Sequence, residues 1–210
     1  MNYDDINDKF KKYKLKESND DINKICKPKK FKLQPSQKFL GDLFKYKNGP
    51  KNILIYHKIG AGKTCTAINI AEKFKKKKKI MVVLPAALIG NFRNELRSQC
   101  PGDEYISDKN RKKLINLSPK SDDFKKIISR SDSKINKYYK ILSYHKFVSL
   151  CKDCKLKLKN HLLIIDEIQN MISESGSFYK NLKNQIDSID DSVRIVLKFS
   201  SGNALGGAPR

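Results

Sequence analysis

Residues 53–64 read Ile53-Leu54-Ile55-Tyr56-His57-Lys58-Ile59-Gly60-Ala61-Gly62-Lys63-Thr64, and this stretch decides the fold. Four apolar residues without polar alternation make a strand of the kind buried on both faces in a parallel sheet. A glycine loop follows, and residues 65–74 carry the apolar spacing of a helix. In a strand–loop–helix unit of this type the glycines let successive backbone N–H groups turn inward around a phosphate, and the helix N-terminus adds its partial positive charge. Lys63 would reach the β- and γ-phosphates of a nucleotide. Thr64 would offer its hydroxyl to Mg²⁺, which takes hard oxygen ligands in octahedral geometry. The full pattern G-x-x-x-x-G-K-[ST] is broken at its first position, where His57 stands in place of glycine. Gly60, Ala61, Gly62, Lys63, Thr64 and Cys65 are the candidate nucleotide contacts, with ATP and Mg²⁺ as cofactors.

Downstream, His161-Leu162-Leu163-Ile164-Ile165-Asp166-Glu167-Ile168-Gln169-Asn170 repeats the apolar run. It delivers two carboxylates to the C-terminal edge of a sheet, the place where open α/β sheets bind ligands. An acidic pair after a strand also serves as a helix cap. With a phosphate loop upstream, the catalytic reading takes precedence. Asp166 would hold Mg²⁺ through its water shell, and Glu167 would orient and deprotonate the attacking water. Lys63 and Glu167 are thus the candidate catalytic residues, Thr64 and Asp166 the candidate metal ligands.

Further strands are expected at residues 80–84, 139–142 and 194–197, alternating with helical segments. The fold class is α/β, a mostly parallel sheet with helices on both faces. Residues 1–30 read as an irregular, charged N-terminal arm with Phe10, Tyr13 and Ile22 as its anchors, and residues 31–200 as the folded domain. Residues 101–137 are polar enough for an insertion or a mobile surface bearing one or two short helices around Leu114, Ile115, Phe124, Ile127 and Ile128. Residues 201–210 abandon the lysine, isoleucine and asparagine style of the rest and read as a disordered tail.

Composition bounds the partners. The net charge of +23 comes from 45 basic against 22 acidic residues, almost all of it lysine. Such an excess favours polyanions, DNA or RNA, through counterion release, or else reflects a lysine-rich bias of solvated surfaces. The run Lys75 to Lys79 has the same two readings, a phosphate-contact patch or a solvated helix end set against the dipole. No apolar stretch approaches a membrane span, and the acidic N-terminus does not resemble a signal peptide, so a non-secreted, intracellular chain without membrane partner is expected. The five cysteines are then expected to be reduced. Cys151 and Cys154, with His145 and His161 near them, have ligand spacing for zinc or mark a surface turn.

Taken with their order, these motifs resemble motifs I and II of superfamily 2 helicases in the DExQ variant, a group that commonly lacks the first P-loop glycine. Leu33-Gln34-Pro35-Ser36-Gln37 resembles the upstream glutamine element, which implies that Gln37 reads the adenine edge. Val83-Leu84-Pro85-Ala86-Ala87-Leu88 resembles motif Ia, which implies backbone contact with a nucleic-acid strand at Pro85 and Ala86. Ile141-Leu142-Ser143-Tyr144 resembles the Ser/Thr-Tyr segment of Swi/Snf-like members, and the whole set is similar to the poxvirus-type helicases and transcription ATPases of large DNA viruses. The chain departs from the pattern at motif III, Ser200-Ser201-Gly202, where Asn203 replaces threonine.

The resemblance implies the first RecA-like domain of an ATP-dependent helicase or translocase, with a second RecA-like domain missing after residue 210. It also implies a viral protein of cytoplasm or virion. A transcription initiation or termination ATPase that moves on DNA without unwinding, partnered with transcription machinery, is the nearest alternative. A non-catalytic nucleic-acid-binding module with a relic P-loop is the alternative from another class.

Overall fold

The computed structural model describes residues 2–14, 31–45, 49–57, 60–153, 156–172 and 178–200, with the backbone alone at His57 and Ser200. Five strands, β1 (Asn52–His57), β2 (Lys79–Leu84), β3 (Tyr139–Ser143), β4 (His161–Ile165) and β5 (Arg194–Ser200), contain all the expected runs. They form one sheet in the order β1-β5-β4-β2-β3, every pairing parallel. The two central runs are apolar throughout because both of their faces are covered. On β2, Ile80, Val82 and Leu84 face one core while Met81 and Val83 face the other, following the two-residue period of a strand.

The first core is closed by α2 (Pro35–Lys45), α3 (Lys63–Phe74), α4 (Ile89–Arg97) and α6 (Asp122–Tyr138), through Phe44, Ile68, Phe92, Leu96 and Ile135. The second is closed by α7 (Tyr144–Lys152) and α8 (Tyr179–Asp187), through Phe147 and Leu182. Helices on both faces are as expected. Close packing of α2 on α3 is marked at Gly41, where an added Cβ would stand 2.5 Å from Asn69 Nδ2, while that amide donates to the Gln37 carbonyl at 2.7 Å.

Three local expectations change. The arm is not irregular at its start: α1 (Tyr3–Phe10) is opened by a capping box between Asn2 and Asp5, and Phe10 packs edge-on against Phe39 at 5.5 Å. Tyr13 is held by the Asp42 carboxylate, so Phe10 and Tyr13 do anchor it; Ile22 lies outside the described residues. The polar stretch 101–137 holds α5 (Asp108–Ile115) and the 17-residue α6, longer than expected. Its amphipathy is completed by charge as well as by apolar residues, since Arg93 Nη1 reaches Asp132 at 2.9 Å and Arg97 shares the same carboxylate. The lysine run is only partly solvated: the Lys75 side chain is 8% exposed, ion-paired to Glu72 and, at 3.0 Å, to Glu104, and Lys78 donates to the Ser192 carbonyl. The tail 201–210 lies outside the described residues.

Candidate active site

The P-loop leaves β1 and enters α3 through two glycines in the left-handed region, Gly60 at φ 81° and Gly62 at φ 72°. Residues with a Cβ disfavour this conformation, which is the local reason for glycine at these positions. Lys58 and Ile59 lie outside the described residues. Gly62 caps α3 with its carbonyl, which accepts from Thr66 N at 3.0 Å, Thr66 Oγ1 at 3.2 Å and Gln37 Nε2 at 3.2 Å. Gln37 is buried, and its Oε1 accepts from the Gln34 N–H at 2.8 Å. Its amide therefore braces the loop through the Gly62 carbonyl.

Cys65, expected to be a reduced residue of the loop, forms a disulfide with Cys100 instead. The first turn of α3 and the turn after α4 are stacked in the core with their Cα atoms 5.7 Å apart, a proximity that a separation of 35 residues does not disclose. The Cys65 side chain is 4% exposed and points away from the loop, leaving only its main chain to serve a phosphate.

The acidic pair stands at the C-terminal end of β4. Asp166 N donates to Val83 O at 2.9 Å, continuing the ladder one residue past the strand. Glu167 then turns into the left-handed region at φ 52°, ψ 48°, a conformation costing a non-glycine residue about 1–2 kcal/mol. The surroundings hold it there. Tyr144 donates its hydroxyl to the carbonyls of Asp166 and, at 2.9 Å, Glu167; Gln169 Nε2 donates to Glu167 Oε2 at 2.6 Å; Asn170 N closes the following turn onto Glu167 O at 2.9 Å.

Sequence reasoning missed one member of the site. Strand β5 lies between β1 and β4, with Leu197 in register with Ile165 and Lys198 with Ile55, so Lys198 comes level with the first acid. Its side chain is 2% exposed, and its Nζ donates to Asp166 Oδ2 at 2.6 Å and to Thr64 Oγ1 at 3.2 Å. Burial pushes this lysine's pKa down from its ordinary value, with Lys63 acting in the same sense and Asp166 opposing both. The available signal was a lysine interrupting the apolar run Val196-Leu197-Lys198-Phe199.

The donor set fits a nucleotide-bound divalent metal. A hydroxyl and a carboxylate oxygen, both hard ligands, already converge on one cationic atom. The loop glycines give the backbone freedom to face phosphate, and Gln169 Oε1 remains a buried polar atom without hydrogen-bond partner.

Residues 30–201 match the family described as type III restriction enzyme, res subunit. The chain belongs to this family, as a superfamily 2 helicase N-terminal domain. It is 51% identical over 195 residues to a protein of Acanthamoeba polyphaga mimivirus provisionally named an ATP-dependent RNA helicase, a match covering 93% of this chain and 34% of that protein. A second mimivirus protein, named in the same way, is 30% identical over 190 residues, 85% of this chain and 16% of its own length. Among solved structures, the Sulfolobus solfataricus SWI2/SNF2 ATPase core in complex with dsDNA aligns at 18% identity and a TM-score of 0.44, over 78% of this chain and 30% of that one. The chain spans about a third of the length of the first of these relatives.

In this helicase domain the other expected stations fall at the same edge of the sheet. Pro85 and Ala86 follow β2, the neighbour of β4, with Ala86 and Ala87 exposed in a short 3₁₀ turn. Ser143 caps α7 by accepting from Lys146 N at 3.3 Å, which aims Tyr144 at the acids. Ser200 ends β5, and the remainder of the motif III segment, Ser201 to Asn203, lies outside the described residues. The zinc constellation is not brought together among the described residues. His145 lies in the first turn of α7 and the buried Cys151 in its last, about 9 Å further along the axis. His161 opens β4 with its ring Nδ1 2.9 Å from Lys159 O, and Cys154 lies outside the described residues. Cys151 is a helix residue rather than part of a surface turn, its thiol pushed up to about 11 by burial.

Proposed function

We propose that this domain binds ATP with Mg²⁺ between the P-loop and the acids after β4, and that the protein carrying it hydrolyses ATP to unwind or move along nucleic acid. One observation carries the reading: Thr64 Oγ1 and Asp166 Oδ2, 102 positions apart in the chain, lie 3.2 and 2.6 Å from the same Lys198 nitrogen. A phosphate loop and a carboxylate strand meeting at one cation position are what phosphoryl transfer needs, since positioning and charge stabilisation supply most of its catalysis.

Lys63 and the main chain of Gly60 to Cys65 would hold the phosphates, Thr64 and Asp166 the metal. When bound, Mg²⁺ would neutralise charge on the β- and γ-phosphate oxygens. Glu167, turned out of the strand by its left-handed backbone, would orient the attacking water and accept its proton. Pro85 and the exposed Ala86 at the same edge would contact the strand, and the charge of +23 would hold the polyanion at low salt. An arginine finger on a second RecA-like domain, as the resemblance implies, would add about three to five orders of magnitude in rate, so the chain alone is expected to turn over slowly.

Equilibrium binding of a fluorescent ATP analogue tests the site. Lys63→Ala should weaken binding at least tenfold, and unchanged affinity would refute it. In the full-length protein Glu167→Gln should keep binding and stop hydrolysis. Strand displacement and triplex displacement by that protein then separate unwinding from translocation on duplex, the activity of a transcription ATPase.

A further inference from the structure

Lys198 is an unusual occupant for the middle of this sheet. It sits on β5, an interior strand, pairs with Ile55 of β1, and its ammonium is buried against Thr64 and Asp166, which come from two different segments of the chain. Lysine is almost never fully buried unless paired, because removing its charge from water is costly. Here the partners are the same two side chains proposed above as magnesium ligands, an inference that therefore rests on that reading. The ammonium and a divalent ion cannot share them. A Mg²⁺ bound to the Thr64 hydroxyl at about 2.0–2.1 Å, with its water shell against Asp166, would need the space where the lysine nitrogen now stands 3.2 and 2.6 Å from those oxygens, and two cations so close would repel strongly in a buried site.

We infer that Lys198 is an internal cation at the metal position, holding Thr64 and Asp166 together in the nucleotide-free domain and giving way when the metal–nucleotide arrives. It is a positioning residue with a defined exchange: Thr64 and Asp166 pass from ammonium to metal, and the displaced ammonium turns to the phosphate oxygens that arrive with it. Two consequences follow. Without metal, ATP still meets a compensated Asp166, because the ammonium screens the carboxylate from the triphosphate. Without nucleotide, a free divalent ion is kept out, because the ammonium already holds its ligands.

The test compares the chain with Lys198→Met and Lys198→Gln, the second keeping an amide that can donate to Asp166. The first readout is the ratio of fluorescent-ATP affinities with and without Mg²⁺, the second uptake of Mn²⁺ without nucleotide, followed by electron paramagnetic resonance. The wild-type affinity ratio should be below tenfold, rising at least tenfold in both variants. Mn²⁺ without nucleotide should bind the variants at least tenfold more tightly than the wild type, and adding Asp166→Asn should abolish that gain. A lysine that only supports the fold would leave the ratio unmoved. A wild-type ratio well above tenfold, Mn²⁺ uptake equal in wild type and variants, or a gain that survives Asp166→Asn would each overturn the inference. If no form binds nucleotide, the nucleotide reading fails separately and the Mn²⁺ comparison still decides the role of Lys198.

Discussion

The hydroxyl of Tyr144 donates to the carbonyl of Glu167 at 2.9 Å and also to that of Asp166, so one side chain from the start of α7 grips both peptide units that present the acids. Tyr144 is 5% exposed and its bond to the Asp166 carbonyl is buried, while the Glu167 carbonyl also accepts from Asn170 N. Tyr144→Phe keeps the ring and removes the donor. It should cost about 1–3 kcal/mol in urea unfolding, the penalty for an unsatisfied buried polar group, and lower the ATPase rate of the full-length protein more than its ATP affinity. Unchanged stability would mean that the hydroxyl is idle.

The two loop glycines should respond differently to alanine. At Gly60 a Cβ meets nothing within 4 Å, so Gly60→Ala bears only the left-handed penalty of about 1–2 kcal/mol. At Gly62 the added Cβ would lie 2.6 Å from Gln37 Nε2 as well. Gly62→Ala should therefore be the more destabilising of the two, and Gln37→Ala in the same chain should recover part of the difference. Equal losses in chemical denaturation would contradict this geometry.

The Cys65–Cys100 bond closes a loop of 35 residues that contains α3, β2 and α4. Loop-closure entropy puts its contribution at about 4 kcal/mol. Cys65→Ser, Cys100→Ser and treatment of the wild type with a thiol reductant should lower the denaturation midpoint by similar amounts, and the double serine variant should lose little more. A reductant-insensitive midpoint in the wild type would count against the bond.

Asp42 links the arm to the domain. Burial pushes its carboxyl up, but hydrogen bonds from Lys73 and Tyr13 and the charges of Lys73 and Lys12 outweigh this, and the group ends below its ordinary value of 3.8. A carboxylate lowered by folding adds stability above its unfolded pKa and loses it as pH falls through the folded value. The wild type should thus lose stability over Asp42→Asn as pH drops below about 4, the two curves converging in acid. Urea midpoints from pH 7 to pH 3 check this, and parallel curves would exclude the linkage.

Much of the architecture was legible before the structure because it is written in local pattern. Short runs rich in apolar and β-branched residues marked all five strands, though Lys140 interrupts the third and Arg194 opens the fifth, glycines marked the loop, and Asp166-Glu167 followed the apolar run of the middle strand. Helix α6 was underestimated because only Ser131 and Ile135 of its 17 residues are buried, so its apolar period is faint and part of its docking comes from the Arg93 and Arg97 pairs with Asp132.

The sequence by itself determined the order of strand, phosphate loop, helix and acids, because each depends on residues within a few positions of one another. The tertiary structure alone decided what meets what. Strand order places β5 between β1 and β4, and only that register carries Lys198 to Thr64 and Asp166. Only the stacking of α3 against the end of α4 brings Cys65 to Cys100, and only the cap at Ser143 turns Tyr144 onto the acids. These contacts join residues 22 to 134 positions apart, where no periodicity or spacing in the chain records the distance between side chains.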